Sequence, residues 1–354
     1  LICLKAAHHV WRLQAWDIRT AFLQASTKDD PDQTVSEIDG LWVSLPKWFP
    51  QKYNASGKCL KIAKGKTLYG MASAPRRWYF TLRKVMLEAG FETSKSDDCL
   101  FILRGEDGVA KGFAGWHVDD GLLTGDADFW KVMNEVVAKK LEFGKHAEKD
   151  FKFCGMQVTQ DKDGSIRLNQ QDQTKHLEEI PFDKKRSKLD PCTPEEITKI
   201  RGRVGAILYI TGMTRPFEAY RVSHIASWAT KACVYHLQLV NELVRDIRDK
   251  NPELAIEYKG GCSVDYMYTF HDSSFKQERE SGSQMGILTF VGPEINSAGE
   301  IKGASLVRWA SKRARRVCHS TLAAETLAAT AGLDSQAGLQ FRMEEFGFYP
   351  KSIL

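Results

Sequence analysis

The stretch GWHVDDGLLTG, Gly115 to Gly125, sets two adjacent carboxylates, Asp119 and Asp120, between apolar segments. VAKGFAGWHV before the pair and GLLTG after it read as strands, so the doublet forms the bend of a hairpin. Two like charges this close repel by roughly 1 kcal/mol in water and by several in a less polar site. The fold must therefore leave the bend solvated or bring positive charge against it. Either way it must contain an antiparallel sheet with an open end.

A further carboxylate favours the second arrangement. WRLQAWDI, residues 11–18, reads as a strand closing near Asp17. If that strand and the hairpin are neighbours in one sheet, three carboxylates converge. Hard oxygen ligands of this kind suit Mg2+, which is commonly held by one or two carboxylates plus substrate phosphates. Two such ions can activate a hydroxyl and stabilise a leaving pyrophosphate.

The rest of the chain is mixed. LYGMASAPRRWYFTLRKVMLEAGF turns into a helix with Pro75 in its first turn, Gly90 at its close, and Trp78, Leu82, Val85, Met86 and Ala89 on one face. CLFILR and the strand after it make a hairpin across GEDG, and Asp126 caps a helix through DADFWKVMNEVVAKKLEF. FKFCGMQV and SIRLNQ pair across DKDG; the polar stretch 26–58 is an irregular excursion, and 181–192 is a linker. Thr193-Pro194-Glu195-Glu196 is a capping box opening a helix to about Gly212. Two more helices, 216–230 and 234–250, precede strands from about 258 and an Ala-rich helix from about 320.

The 354 residues allow two or three domains, and no run of about 18 apolar residues predicts a membrane span. Eight scattered cysteines without a CxxC pair indicate neither zinc nor a disulfide framework, and fit a reducing, intracellular compartment. His176 and His236 lack metal-ligand spacing and read as ordinary helix residues. The net charge of +5 is compatible with a polyanionic partner.

AWDIRTAFLQA, LYGMASAPRRW, DDCLFI, HVDDGLLTG, FCGMQV, RGRVGAILYITGMTRPFEAYRVSHIA, VRWASKRARRV and HSTLAAETLA stand in an order that resembles the reverse transcriptase of copia-type LTR retrotransposons. The resemblance covers nearly the whole chain. It implies an α+β polymerase palm and partial fingers over 1–180, a linker and helical thumb or connection over 181–257, and a truncated RNase H-like α/β domain over 258–354. It implies RNA-directed DNA polymerase activity with Mg2+ or Mn2+ on Asp17, Asp119 and Asp120. The partners would be an RNA template with a DNA primer or an RNA–DNA hybrid, deoxynucleoside triphosphates, and other parts of the same Pol polyprotein, in a cytoplasmic virus-like particle or the nucleus.

By the same resemblance Thr20 and Ala21 face the triphosphate through their backbone N–H groups. Phe22 excludes a ribose 2′-hydroxyl, or is simply core. Tyr69 and Gly70 pack on the nascent pair, and Gly155 and Met156 belong to a hairpin holding the primer end, or to an ordinary strand. Arg76 and Arg77 lie near the template backbone, or are solvated helix charges. Arg215, Pro216 and Tyr220 are structural. Asp272 and Glu325 match two carboxylates of an RNase H site, while Asp334 does not match a further one, and the chain is expected to end before the strand that follows. The basic run 308–316 is a solvated turn or a phosphate contact.

This chain has His117 where the family has an aromatic residue, and Ala72-Ser73 where it has Lys-Gln. The basic fingers segment normally precedes the first residue here, so a polyprotein fragment is expected. The alternative is a catalytically inactive, decayed remnant that at most binds nucleic acid.

Overall fold

The computed structural model of the chain describes residues 1–31, 42–44, 60–61, 65–250, 252–275 and 282–353. The expected excursion at 26–58 lies mostly outside the described residues, as does Cys59. Two compact units form, Leu13–Ala147 and Glu148–Leu354, the second including Cys3–Arg12. The division falls well before the boundary at 180 read from the sequence.

The first unit is built on a six-stranded sheet. Its strands are β1 (Leu13–Ile18), β4 (Phe91–Thr93), β5 (Leu100–Arg104), β6 (Ala110–His117), β7 (Asp120–Gly125) and β8 (Phe143–Glu148); β2 (Trp42–Val43) and β3 (Leu60–Lys61) pair separately. The order is β4-β5-β6-β7-β1-β8, and the pairs from β4 through β1 are antiparallel. Helix α1 (Ala74–Glu88) starts with Pro75 in its first turn and buries Trp78, Leu82, Val85 and Met86. Gly90, at φ 90°, turns the chain into β4. Helix α2 (Ala127–Val132) is capped by the Asp126 side chain, which accepts the Phe129 N–H at 3.1 Å. It runs on through a π-helical turn, Met133–Val137, where the sequence pattern predicts an unbroken helix. Trp16, Trp78, Met86, Phe101 and Phe129 share one core, each side chain contributing about 1.5–3 kcal/mol by leaving water.

In the second unit β9 (Asp150–Phe153), β10 (Met156–Gln160), β11 (Ile166–Asn169) and β12 (Ile256–Tyr258) form an antiparallel sheet in the order β12-β11-β10-β9. FKFCGMQV is therefore itself a hairpin, and only its second half pairs with SIRLNQ. The pairing of Ile166 with Tyr258 ties this sheet to later chain, which is why the units do not divide at 180.

Helix α3 (Pro194–Met213) begins with the capping box: Thr193 Oγ1 accepts the Glu196 N–H at 3.2 Å, and Glu196 Oε2 accepts the Thr193 N–H at 2.8 Å. Arg186 grips the same carboxylate at 2.7 and 3.0 Å, and Cys192 N–H donates to Ala232 at 3.0 Å. The expected linker is thus docked rather than loose. Helices α4 (Ala219–Trp228) and α5 (Val234–Arg245) pack with α3 around Ile200, Val204, Ile207, Val222, Leu237 and Val240.

The last sheet has the order β15-β14-β13-β16, from β13 (Tyr266–Ser274), β14 (Gln284–Gly292), β15 (Ser305–Arg313) and β16 (Lys351–Ile353). β13 to β15 are antiparallel, and β16 lies parallel to β13 after helix α6 (Thr321–Glu345). The chain thus reaches the strand expected to follow its end. Three residues are too few to show an alternating pattern.

Candidate active site

The register of β1 on β7 sets Asp17 directly opposite Asp120. Opposed residues of an antiparallel pair project from the same face, so these carboxylates share a side of the sheet. Asp119 occupies the bend, where its carbonyl accepts the Ile18 N–H at 2.9 Å. Asp120 is exposed by area, yet partial burial, first, and then the carboxylates of Asp119 and Asp17 push it above the usual aspartate value of 3.8, with His117 pulling it back. His117 stands across the hairpin from Asp120. Among the described residues no three acidic, histidine or cysteine side chains enclose a cation.

The bend is strained. Val118 has φ 60° and Thr20, beyond β1, has φ 48°. Both are β-branched, and residues of that kind in the left-handed region cost about 1–3 kcal/mol each. The surroundings hold these loops in place. Trp78 Nε1 donates to the Val118 carbonyl at 2.6 Å. Gln24 donates to the Arg19 and Glu142 carbonyls at 2.5 and 2.9 Å and accepts the Glu142 N–H at 2.8 Å, joining the ends of β1 and β8.

Behind Asp17, Trp16 is buried and stacks on His146 at 4.0 Å, with Phe143 edge-on at 5.0 Å. Burial holds the His146 imidazole below its usual value of 6.5. Gly144, between these two residues of β8, sits against the Asp17 carboxylate, and a β-carbon there would overlap a carboxylate oxygen. Gly144, Gln24 and His146 went unrecognised in the sequence, where nothing marks β8 as the neighbour of β1, and Trp78 was read only as part of an apolar helix face.

The remaining predicted residues divide. Thr20 precedes the one-turn helix Ala21–Gln24, whose Ala21 is buried. The half-buried Phe22 ring lies 4.9 Å from the exposed Tyr69, and Gly70 turns the chain beside it at φ 91°. Arg76 is committed elsewhere: its Nε and Nη2 donate to the buried Asp30 at 2.8 and 3.0 Å. Gly155, with Cys154, forms the two-residue turn of the β9–β10 hairpin, both at positive φ, and Met156 follows, paired with Phe153. Tyr209 from α3 donates its hydroxyl to the Cys154 carbonyl.

Asp272 and Glu325 lie on neighbouring elements, β13 and α6. Met285, Ile287, Thr289 and Val291 of β14 are buried, and they pair with Ser273, His271, Thr269 and Met267 of β13. That face carries α6, whose Gly332 lies against His271. Asp272 alternates to the other face, where Gln284 donates to Ser223 of α4 at 3.0 Å.

These sheets and helices make a reverse transcriptase fold. The same fold occurs in a solved structure of the foamy viral protease-reverse transcriptase in complex with RNA/DNA hybrid, with TM-score 0.51 and 11% identity over 96% of this chain and 39% of that one. The family model described as reverse transcriptase (RNA-dependent DNA polymerase) matches residues 1–191, and the chain belongs to that family. The Retrovirus-related Pol polyprotein from transposon RE1 of Arabidopsis thaliana is 25% identical over 90% of this chain and 21% of its own length. The corresponding protein from transposon TNT 1-94 of Nicotiana tabacum is 23% identical over 95% of this chain and 25% of its own. These matches bear out the resemblance to copia-type retrotransposon reverse transcriptases. The chain spans about a quarter or less of these relatives.

Proposed function

We propose that this chain is the polymerase part of a copia-type Pol polyprotein and that it copies RNA into DNA by two-metal nucleotidyl transfer. The direct opposition of Asp17 and Asp120, with Asp119 at the adjoining bend and the Asp120 carboxyl raised, carries the reading. The donor set suits Mg2+ or Mn2+. Its oxygens are hard, its excess negative charge needs a counter-ion, and Mg2+ does not require a closed protein cage when substrate phosphates complete its shell. Bound there, the metal would lower the pKa of a primer hydroxyl and neutralise the departing pyrophosphate. The chain's own residues hold the three carboxylates in register, through the β1–β7 pairing and the Trp78 bond, and set Phe22 and Tyr69 as a joined aromatic pair for the sugar and base of a deoxynucleoside triphosphate.

The template-primer partner is an RNA–DNA hybrid or primed RNA, and an intracellular setting fits; no described helix is long and apolar enough to cross a membrane. The palm and partial fingers would occupy 1–180, the connection 181–257 and the RNase H-like part 258–354.

Primer extension on poly(rA)–oligo(dT) with dTTP and Mg2+ tests the polymerase reading. Asp17→Asn and Asp119→Asn should each lower the rate at least 10³-fold while leaving hybrid binding intact. Extension by either variant at the wild-type rate would refute it. Wild-type binding of hybrid that weakens steeply with salt, without extension, would favour the inactive remnant.

A further inference from the structure

Lys184-Lys185-Arg186 is the only place in the sequence where three lysines or arginines stand in a row, and Ser187 follows directly, with Lys188 after it. Like charges this dense repel, and the fold offsets only one of them. Arg186 turns inward to Glu196 and to the Pro191 carbonyl, the latter at 2.7 Å. Lys184, Lys185 and Lys188 are exposed, and among the described residues none of their ammonium groups meets a carboxylate. The segment makes two successive turns. Arg186 N–H donates to the Asp183 carbonyl at 3.3 Å, and Asp190 N–H to the Ser187 carbonyl at 3.1 Å. Ser187 lies at the crest between them, exposed, its N–H donating to the Asp190 carboxylate at 3.0 Å. Leu189 beside it is 84% exposed. The stretch is then fastened to the start of α5, where the Lys188 and Asp190 carbonyls accept the Tyr235 and Val234 N–H groups at 2.9 and 3.0 Å.

We infer that Ser187 is a phosphorylation site, modified by a serine kinase that reads cations on the N-terminal side of its target. The hydroxyl is accessible, and its one contact is a long one, Oγ accepting the Leu189 N–H at 3.4 Å. The crest of a surface turn held by few bonds is a segment that another enzyme's cleft can take up. Charge selects the enzyme. Lys184 and Lys185, unpaired in the fold, are free to meet a substrate groove lined with carboxylates, and kinases discriminate by such charge patterns. Ser320, the exposed serine that follows the other dense basic run, is instead committed to capping α6, where it accepts the Ala323 N–H at 3.1 Å. In the transfer Ser187 Oγ bonds to the γ-phosphorus of ATP, the bond to the β–γ bridging oxygen breaks, ADP leaves, and the hydroxyl proton passes to the kinase's base. The product carries nearly two negative charges and three acceptor oxygens. It stands beside the Asp190 carboxylate, which it repels, and beside Arg186, which it draws from Glu196. Both changes withdraw bonds that dock this linker, so the modification loosens the start of α5.

Incubation of the full chain with radiolabelled ATP and the catalytic subunit of the cyclic-AMP-dependent kinase tests the site. Label should approach one phosphate per chain and map to the peptide holding Ser187. Ser187→Ala should lower incorporation at least tenfold, and Lys184→Ala with Lys185→Ala should lower the kinase's kcat/KM for this chain by a similar factor. All three side chains are exposed, so these variants should keep the wild-type urea midpoint. Casein kinase II, which reads acids, should leave Ser187 unlabelled. Hydrogen exchange then tests the consequence. In the phosphorylated chain the Val234 and Tyr235 amides should exchange at least fivefold faster, while Leu122 and Leu123 of β7 keep their rates. No incorporation at Ser187, or a rate that survives loss of both lysines, would overturn the assignment. Unchanged exchange at Val234 and Tyr235 would overturn the loosening. Neither readout involves primer extension, so this inference and the polymerase reading fail separately.

Discussion

Gly144→Ala isolates the geometry on which the polymerase reading depends. The added β-carbon would lie 3.3 Å from the Asp17 carboxyl carbon and overlap one of its oxygens. Restoring ordinary van der Waals separation requires that oxygen to recede by about 1 Å. The half-buried Asp17 side chain can do so by leaving its rotamer at about 0.5–1.5 kcal/mol. Replacing Gly by Ala in extended backbone returns about 0.4–1 kcal/mol through the unfolded chain. Stability should therefore change by less than about 1 kcal/mol. Catalysis is far less tolerant, because a misplacement of about 1 Å in a reacting geometry costs on the order of 10²-fold. Steady-state primer extension should fall by about that factor, with a higher Mg2+ requirement, while the urea midpoint stays close to wild type. Extension within threefold of wild type would show that the Asp17 carboxylate does not act from the position seen here.

Two further perturbations follow from the same structure. The raised Asp120 carboxyl means that the native state holds this proton more tightly than the unfolded chain does, so its contribution to metal-free stability falls as pH rises from 3.8 through the higher folded value. Asp120→Asn should accordingly stabilise the metal-free protein at neutral pH and not at pH 3, and thermal melts with and without Mg2+ should show the metal stabilising wild type more than the variant. Arg76→Ala removes the partner of the buried Asp30 and should cost about 1–3 kcal/mol in urea unfolding. The salt dependence of hybrid binding should be unchanged, whereas a phosphate contact at Arg76 would make its slope shallower by about 1.

Local signals carried much of the fold. The capping box at Thr193, the cap at Asp126 and the helical stripe from Trp78 to Met86 each depend on residues a few positions apart, and each element forms where the sequence places it. The β6–β7 bend was legible for the same reason, since alternation on both sides leaves one place for the turn. What could not be read was pairing at long range. Nothing near Phe143 marks β8 as the neighbour of β1, so the glycine that makes room for Asp17 and the histidine that stacks behind it had no local signature. Arg76 looked available because its partner, Asp30, sits in the acidic run of a segment that reads as solvated loop.

Asp272 shows where a correctly placed strand still leaves its chemistry open. A residue at the end of β13 was expected beside a residue of the following long helix, and both elements form as predicted. Side chains on a strand alternate with period two, so a shift of one position decides which face a carboxylate serves. Here the buried odd-numbered residues of β14 fix that choice: their partners on β13 include His271, which goes to α6, and Asp272 alternates to the opposite face. Hydrophobic patterning alone could not settle the matter, because Tyr268 and Thr269 are both buried and β13 loses its alternation there. The face on which the carboxylate lies follows from cross-strand register, information that resides in β14 and β15 rather than in the segment that carries the aspartate.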